Sequence, residues 1–177
     1  MRDEQLYAFV ADARARNAAD VRRRTRWLQK QLREDAAFAE LCRDFGSSGV
    51  PVEVSLCDGR RHRGRLSGVG VDALAMRTMD GGAVYIATAA VVGVRAVAGE
   101  DGRDGAVADD APQLHDGQRF SDVLADLADL RTRVTAGTVA QQTCSGVLGG
   151  VGGDIVWFDD NQWYLRLQMI TDVMIAP

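Results

Sequence analysis

The chain has 177 residues, of which 46% are hydrophobic and 26% are charged, and its formal net charge is -4. Such values are ordinary for a globular protein of one or two domains, and the total charge by itself implies no general attraction to nucleic acid or anionic lipid. No apolar run is long enough to span a membrane, and the charged N-terminus is unlike a signal peptide. The three cysteines form no CxxC pair, so we expect reduced thiols and a cytoplasmic protein.

The first element predicted in chain order is a long helix from about Asp3 to Leu32. Ala, Arg, Leu and Gln dominate this stretch, and no Pro or Gly interrupts it. Its apolar residues recur every three or four positions, so they share one face that we expect to pack on a partner or on the rest of the protein. The segment also holds the densest positive charge of the chain. Its candidate residues for binding nucleic acid or a partner are Arg14, Arg16, Arg22, Arg23, Arg24, Arg26, Trp27, Lys30 and Arg33.

Two interpretations of this basic segment stay open. Clustered arginines attract phosphate backbones by charge and counterion release, and Trp27 beside Arg26 is suited to stacking on a base or to anchoring a protein partner. Alternatively, the arginines form a solvated helix face that pairs with acidic residues elsewhere in the chain. Composition alone does not separate these interpretations.

Residues 38–97 and 120–176 are two copies of one unit. An offset of 82 residues pairs Gly64 with Gly146, and the offset is 79 after a turn that is shorter in the second copy. A tandem repeat of this kind defines the architecture before any residue is assigned a role. It does not by itself indicate an activity.

Each copy predicts a short amphipathic helix and then five strands. In the first copy, apolar and polar residues alternate from Val52 to Leu56, and Asp58-Gly59 predicts a tight turn. Glycines inside the second strand predict the bend that small barrels require. We expect Leu66 and its equivalent Leu148 to be buried. The predicted fold class is mainly β with α: a long N-terminal helix followed by two small barrels.

Four segments are expected along the chain. The Arg-rich helix occupies residues 1–35, the first repeat residues 36–97, and the second repeat residues 119–177. Between the repeats, residues 98–118 are rich in Gly, Ala and Asp and have no apolar periodicity. We predict that they form a flexible, acidic linker.

A helix, five strands, a turn glycine, a Gly-rich second strand and an aspartate after it together resemble the Sm-like (LSm) fold. The layout, with an Arg-rich helix ahead of two such units, is similar to tandem Sm-like proteins of high-GC Gram-positive bacteria. The resemblance implies small barrels that pair edge strand to edge strand, either within one chain or in a homo-oligomeric ring. Its motif residues in the first copy are Leu56, Asp58, Gly59, Gly64, Leu66, Asp72, Tyr85 and Ile86.

The uridine pockets of RNA-binding Sm-like proteins are not matched in this chain. The position that holds an Asn in the eukaryotic and archaeal kind holds Met76 in the first copy and Phe158 in the second. The Tyr-Lys-His run of the bacterial kind is also missing, because neither Tyr85 nor Tyr164 is followed by Lys-His. We interpret these two tyrosines as core or rim residues.

A second basic patch follows the first predicted hairpin turn. Its candidate residues are Arg60, Arg61, Arg63 and Arg65, whereas the second copy has the uncharged Gln141-Gln142-Thr143 in the corresponding region. The asymmetry predicts that only one barrel faces an anion. The alternative is a solvated hairpin, which is common at surfaces.

No catalytic, cofactor or metal site is predicted. Asp72 and Asp154 occupy equivalent positions, which favours a shared capping role over a pair of catalytic carboxylates. The Gly-rich stretches lie in or between strands and lack the following Lys and Ser or Thr of a phosphate loop. His62 and His115 are the only histidines, so a nucleophile–base pair has few members available. We therefore expect a protein that is not an enzyme.

Two functions are consistent with these observations. The first is association with nucleic acid, RNA above all, through the Arg-rich helix and the second basic patch. The alternative is a scaffold for a protein partner or for assembly, built by edge-strand pairing. Neither function requires a cofactor or a membrane.

Overall fold

The computed structural model describes residues 37–97, 113–115, 117–159 and 162–175. Ala39–Pro177 forms one compact unit. The predicted long N-terminal helix, with its nine candidate residues, and residues 98–112 of the predicted linker lie outside the described residues. The predicted boundaries of these two segments therefore remain predictions.

The first repeat forms one helix and five strands, as its hydrophobic pattern predicts. Helix α1 ends where Gly49 takes a positive φ of 63°, a backbone conformation that glycine adopts without steric cost. A short 3₁₀ turn, Thr88–Ala90, leads into the last strand. The elements are α1 (Phe38–Ser48), β1 (Val52–Leu56), β2 (Arg61–Val69), β3 (Ala73–Thr78), β4 (Ala83–Ala87) and β5 (Val91–Ala96).

The second repeat forms the equivalent set in the same order. Its 3₁₀ turn, Leu167–Met169, matches that of the first repeat and again precedes the fifth strand. The elements are α2 (Phe120–Asp129), β6 (Arg133–Thr138), β7 (Thr143–Val151), β8 (Ile155–Phe158), β9 (Tyr164–Arg166) and β10 (Ile170–Ile175).

The ten strands form one antiparallel sheet in the order β5-β1-β2-β3-β4-β10-β6-β7-β8-β9. In each repeat the fifth strand pairs with the first, and the remaining strands follow as a meander. The repeats are joined because β4 of the first pairs with β10 of the second. The prediction of a mainly β fold is confirmed. The prediction of two barrels needs correction in one respect, since the strands belong to one continuous sheet and not to two closed ones.

The bend predicted in the second strand of each repeat is present at the same place. In β2 the register with β3 shifts after Leu66, and in β7 the register with β8 shifts after Leu148. Both leucines are buried, as predicted. Gly64 is required by close packing, since a Cβ at this position would lie 1.9 Å from the backbone oxygen of Arg77.

Two hydrophobic cores lie under the sheet. The first contains only first-repeat residues among its buried members, including Leu66, Leu74 and Met76. The second contains α2 and the inner face of the second repeat, and it also takes Ala75 and Tyr85 from the first repeat. The second core thus contains residues of both repeats, which therefore share this core as well as the sheet.

The end of the predicted linker packs on the first repeat. Leu114 is buried against Gly68 and Gly70, and the backbone N–H of Val71 donates to the carbonyl of Gln118. A Cβ at Gly68 would lie 2.7 Å from that of Leu114, so this contact depends on the glycine. This end of the segment consequently contributes to the core.

The three cysteines are free thiols, as predicted. Cys42 and Cys144 are buried, and burial raises the pKa of Cys42 to about 11. Cys57 is exposed. No helix within the described residues is long and apolar enough to cross a membrane.

Candidate functional site

The outer surface of the first repeat carries a group of arginines, which we call the basic face. On β2, exposed arginines alternate with the buried residues His62, Gly64 and Leu66, so the arginines all point away from the core. Strand pairing adds two further arginines to this surface. Arg77 of β3 lies opposite Arg65, and Arg95 of β5 lies opposite Glu53. The basic face consists of Arg61, Arg63, Arg65, Arg77 and Arg95.

Glu53 is the one acidic residue at the centre of this surface. Its carboxylate accepts hydrogen bonds from Nε of Arg63 at 2.6 Å and from Nε of Arg95 at 3.0 Å, and Nη1 of Arg61 lies 3.7 Å away. The three arginine side chains are more than half exposed, whereas the glutamate is covered by them. The hydrogen bond from Arg63, with a further contribution from Arg95, holds the pKa of Glu53 below its ordinary value.

The second repeat has no such face. The repeat offsets of 82 and 79 residues identify the positions equivalent to the five arginines. These positions are occupied by four uncharged residues and one acidic residue. The charge asymmetry between the repeats is therefore not confined to one hairpin, since it also includes the positions of Arg77 on β3 and Arg95 on β5. The equivalent residues are Thr143, Ser145, Val147, Asp159 and Met174.

Arg60, a predicted binding residue, points instead toward the second repeat. Its Nε donates to Oδ2 of Asp58 at 2.6 Å, and its two Nη atoms contact both carboxylate oxygens of Asp172 at 2.5 and 3.3 Å. Nη2 also donates to Oγ1 of Thr171 at 2.5 Å. Both aspartate side chains are fully buried, whereas that of Arg60 is 30% exposed. We call this group, with His62, the ion lock.

The ion lock joins the two repeats. Nε2 of His62 lies 3.1 Å from Oδ2 of Asp172, so this buried carboxylate contacts two first-repeat side chains. Burial tends to raise the pKa of Asp58, but the hydrogen bonds from Arg60 outweigh it and hold the pKa below its ordinary value. The guanidinium of Arg60 lies directly over Gly137, where a Cβ would lie 1.5 Å from Nη2. Any residue larger than glycine at position 137 would therefore displace the side chain of Arg60.

The two equivalent aspartates share a backbone role and differ in side-chain role. The carbonyls of Asp72 and Asp154 accept from the N–H groups of Thr88 and Leu167, which start the two 3₁₀ turns. The sequence predicted that both side chains cap a turn, whereas Oδ1 of Asp72 accepts a hydrogen bond at 2.6 Å from the N–H of Phe120, the first residue of helix α2 in the other repeat. The negative charge of the Asp72 carboxylate is stabilised there, because the N-terminus is the positive end of the dipole of α2.

The two tyrosines also lie in different surroundings. Tyr85 is buried in the shared core, and burial raises the pKa of its hydroxyl. Tyr164 is exposed. The same position of the repeat therefore lies in the interior in the first copy and at the surface in the second.

Arg77, Arg95 and Glu53 were not identified from the sequence. Arg77 is isolated along the chain, and Arg95 is separated from the patch by some thirty positions; strand pairing alone brings them together. The alternation of residue types along β5 could have identified Arg95, because it places this residue on the polar face of the strand. Asp172 could not be recognised at all, because its position in the first repeat is occupied by Gly93.

No group of three potential metal ligands was found within the described part of the chain, where every buried side-chain N or O atom has a hydrogen-bond partner. No family model, curated protein or solved structure matches the chain.

Proposed function

We propose that the chain is a non-enzymatic Sm-like protein that associates with RNA through phosphate contacts of the basic face. The observation that carries the proposal is that five arginines lie on one side of the sheet, where three of them contact the carboxylate of Glu53. The topology supports the Sm-like part, since each repeat is a helix followed by five antiparallel strands with the fifth paired to the first.

The chemistry of the basic face suits a polyanion. A guanidinium has five N–H donors, and two carboxylate oxygens of Glu53 are shared among three guanidinium groups. The three guanidinium groups have more donors than these two oxygens can accept, and their side chains are more than half exposed, so a phosphate can approach them and accept hydrogen bonds in pairs. The surface excess of four positive charges also attracts a nucleic acid despite the negative total.

Arg60 does not belong to this binding surface, because the ion lock already occupies its donors. The predicted contribution of the N-terminal arginines remains part of the proposal. The two basic regions can be separated experimentally, since they lie in different segments of the chain.

The test is RNA binding by a variant carrying Arg61→Gln, Arg63→Gln and Arg65→Gln, measured by fluorescence anisotropy over a series of salt concentrations. We expect weaker binding and a slope of log affinity against log salt that is smaller by up to about 2 units, at about 0.7 per phosphate contact for a single strand. A second variant, Arg22→Gln, Arg23→Gln, Arg24→Gln and Arg26→Gln, measures the N-terminal contribution.

A matched control removes the same number of charges from the second repeat. Arg131, Arg133 and Arg166 are exposed, and changing all three to Gln should alter affinity much less than the basic-face variant. Equal losses in the two variants would mean that only net charge matters and would contradict the proposed surface. Absence of RNA binding by the wild-type protein at low salt would end the proposal.

A second candidate function is an assembly scaffold, favoured by the pairing of β4 with β10. This pairing demonstrates that the two units join edge to edge in a continuous sheet. The ends of the sheet, β5 and β9, are the equivalents of the two strands that pair internally. A scaffold of this kind would extend the same interaction to another molecule.

A further inference from the structure

Glu53 lies between two arginines of the basic face. Strand β1 is placed between β5 and β2 in the sheet, and Glu53 is directly opposite Arg63 on one side and Arg95 on the other. Oε2 of Glu53 accepts a hydrogen bond from Nε of Arg63 at 2.6 Å, and Oε1 accepts one from Nε of Arg95 at 3.0 Å. Each carboxylate oxygen therefore holds a guanidinium group from a different strand.

The hydrogen bonds to Glu53 use one side of each guanidinium group. Arg63 donates through Nε, and Arg95 donates through Nε and places Nη2 2.8 Å from the same oxygen. These contacts do not use Nη1 of either arginine, and both side chains are more than half exposed. A guanidinium group that is held by its side keeps the donors at its end for a phosphate.

The carboxylate lies beneath the guanidinium groups that it holds. Glu53 is 1% exposed, so a phosphate that approaches this surface from solvent reaches the guanidinium groups first. The hydrogen bond from Arg63 also lowers the pKa of Glu53, and the carboxylate is therefore ionised at neutral pH. Glu53 thus holds the arginines as an anion without occupying the outer surface itself.

The second repeat forms the same strands without an acidic residue at this position. Thr135 stands at the position equivalent to Glu53. Its hydroxyl lies 2.8 Å from that of Ser145, the residue equivalent to Arg63, across β6 and β7. The strand pairing therefore does not require a carboxylate, and the acidic residue occurs only in the repeat that has the arginines. This observation connects the role of Glu53 to the arginines.

We propose that Glu53 is a positioning residue of the basic face, which holds Arg63 and Arg95 with their free ends toward solvent and so prepares them to bind one phosphate group of RNA. The inference rests on the proposed association with RNA and assigns a role to the acidic residue at the centre of an anion-binding surface. Long side chains lose rotamer freedom when they bind a ligand, and side chains that are already held lose less.

Positioning and simple charge predict opposite effects of removing the acidic residue. If only charge mattered, a basic face without Glu53 would have one more net positive charge and would bind RNA more tightly. If Glu53 positions the arginines, its removal releases both guanidinium groups and weakens binding, although the surface becomes more positive. The direction of the change in affinity therefore distinguishes the two roles.

The test measures the affinity of Glu53→Gln and Glu53→Ala for a short fluorescein-labelled single-stranded RNA by fluorescence anisotropy at low salt. Glutamine keeps one acceptor oxygen, whereas alanine keeps none. We expect the dissociation constant to rise by roughly 2- to 10-fold for each guanidinium group that is released, so alanine should weaken binding more than glutamine does. A dissociation constant that is unchanged or lower in both variants would overturn the inference and leave the proposed function intact.

Asp44→Asn serves as the charge control. Asp44 is an exposed acidic residue of α1, outside the basic face of the same repeat. Its replacement removes one negative charge, so the affinity for RNA should stay unchanged or increase slightly. If this variant binds as weakly as Glu53→Gln, the loss does not come from the arginines and the inference is wrong.

A double-mutant cycle determines whether Glu53 acts through the two arginines. In a protein with Arg63→Gln and Arg95→Gln, the guanidinium groups that Glu53 holds are absent. Glu53→Ala in that background should no longer weaken binding and should strengthen it by charge alone. A loss as large as in the wild-type background would indicate a general structural effect and would contradict the positioning role.

NMR of the arginine side chains provides a readout that does not depend on RNA. We expect distinct Nε–H signals from Arg63 and Arg95 in the wild-type protein, because hydrogen-bonded protons exchange slowly with water. The signals should weaken in Glu53→Gln and disappear in Glu53→Ala, while unchanged backbone amide signals show that the variants are folded. Signals that persist in both variants would overturn the inference.

Glu53→Gln has nearly the volume of the wild-type side chain and provides the test if Glu53→Ala does not fold. Failure of the inference and failure of the proposed function give different results. Wild-type protein that binds RNA, together with a glutamine variant that binds equally well or better, overturns only the positioning role. Wild-type protein that does not bind RNA at low salt ends the proposed function and the inference that rests on it.

Discussion

The two repeats have matching frames and different surfaces. Strand order, register shifts and 3₁₀ turns correspond one for one, and Leu66 and Leu148 occupy equivalent buried positions. The outer face of the first repeat carries five arginines, whereas the equivalent positions of the second carry none. The residues that define the fold have thus been retained in both copies, while surface residues have been free to acquire separate roles.

A second difference lies in which sides are covered. The first repeat has its β3–β4 side buried by the second, and the second has its β10 and α2 sides buried by the first. Equivalent residues are consequently core in one copy and surface in the other, as Tyr85 and Tyr164 illustrate. Burial in this protein is decided by position in the assembly of repeats and not by residue type alone.

The largest expected effect tests the shared frame. Leu66→Ala and Leu148→Ala should each lower the free energy of unfolding by about 2–5 kcal/mol, because both side chains are buried and leave a cavity. Chemical denaturation monitored by circular dichroism measures both losses. A loss below about 0.5 kcal/mol at one site, the range of surface changes, would break the equivalence of the repeats.

The next effect tests the ion lock, which has no counterpart in the second repeat. Arg60→Met leaves the buried carboxylates of Asp58 and Asp172 without their main partner, and we expect the free energy of unfolding to fall by about 3 kcal/mol, since breaking a buried pair is costly. Arg131→Gln removes an exposed pair with Asp159 and should cost at most about 1 kcal/mol. Equal losses in thermal or chemical unfolding would show that the lock is not a special contact.

A smaller effect separates the equivalent aspartates. Asp72→Ala should destabilise the protein by about 0.5–2 kcal/mol, because it removes the side-chain cap on α2. Asp154→Ala should change stability by less than about 0.5 kcal/mol, because Asp154 is an exposed surface residue. Chemical denaturation of both variants measures the difference, and equal losses would contradict the helix cap assigned to Asp72.

The smallest expected effect is a pH dependence at the basic face. The pKa of Glu53 lies below its ordinary value of 4.5 in the folded protein, so its stabilising contribution is present above pH 4.5 and is lost as the pH falls through the folded value. Glu53→Gln should therefore unfold at a temperature that depends less on pH in this acidic range. The melting temperatures of both proteins would be compared, and parallel curves would contradict the assigned ion pairs.

The sequence was sufficient to identify the repeat, the helix and five strands of each copy, and the bends at their glycines. These features depend on local periodicity and on backbone freedom, which neighbouring residues define. It was insufficient for the basic face as a whole, because Arg77 and Arg95 reach Arg65 and Glu53 only through strand pairing. Arg60 was assigned to an outward surface because nothing in its neighbourhood indicates a partner more than one hundred residues away.

The sequence by itself determined what each repeat is built from, since the alternation of apolar and polar residues selects strand faces and the turn residues select where strands end. Only the tertiary structure decided how the repeats are joined. The pairing of β4 with β10 uses backbone hydrogen bonds, which any strand can form, so no residue type in the sequence predicts this pairing. That one contact buries Tyr85, exposes Tyr164 and directs Arg60 to Asp172, because it determines which of two equivalent surfaces meets protein and which meets water.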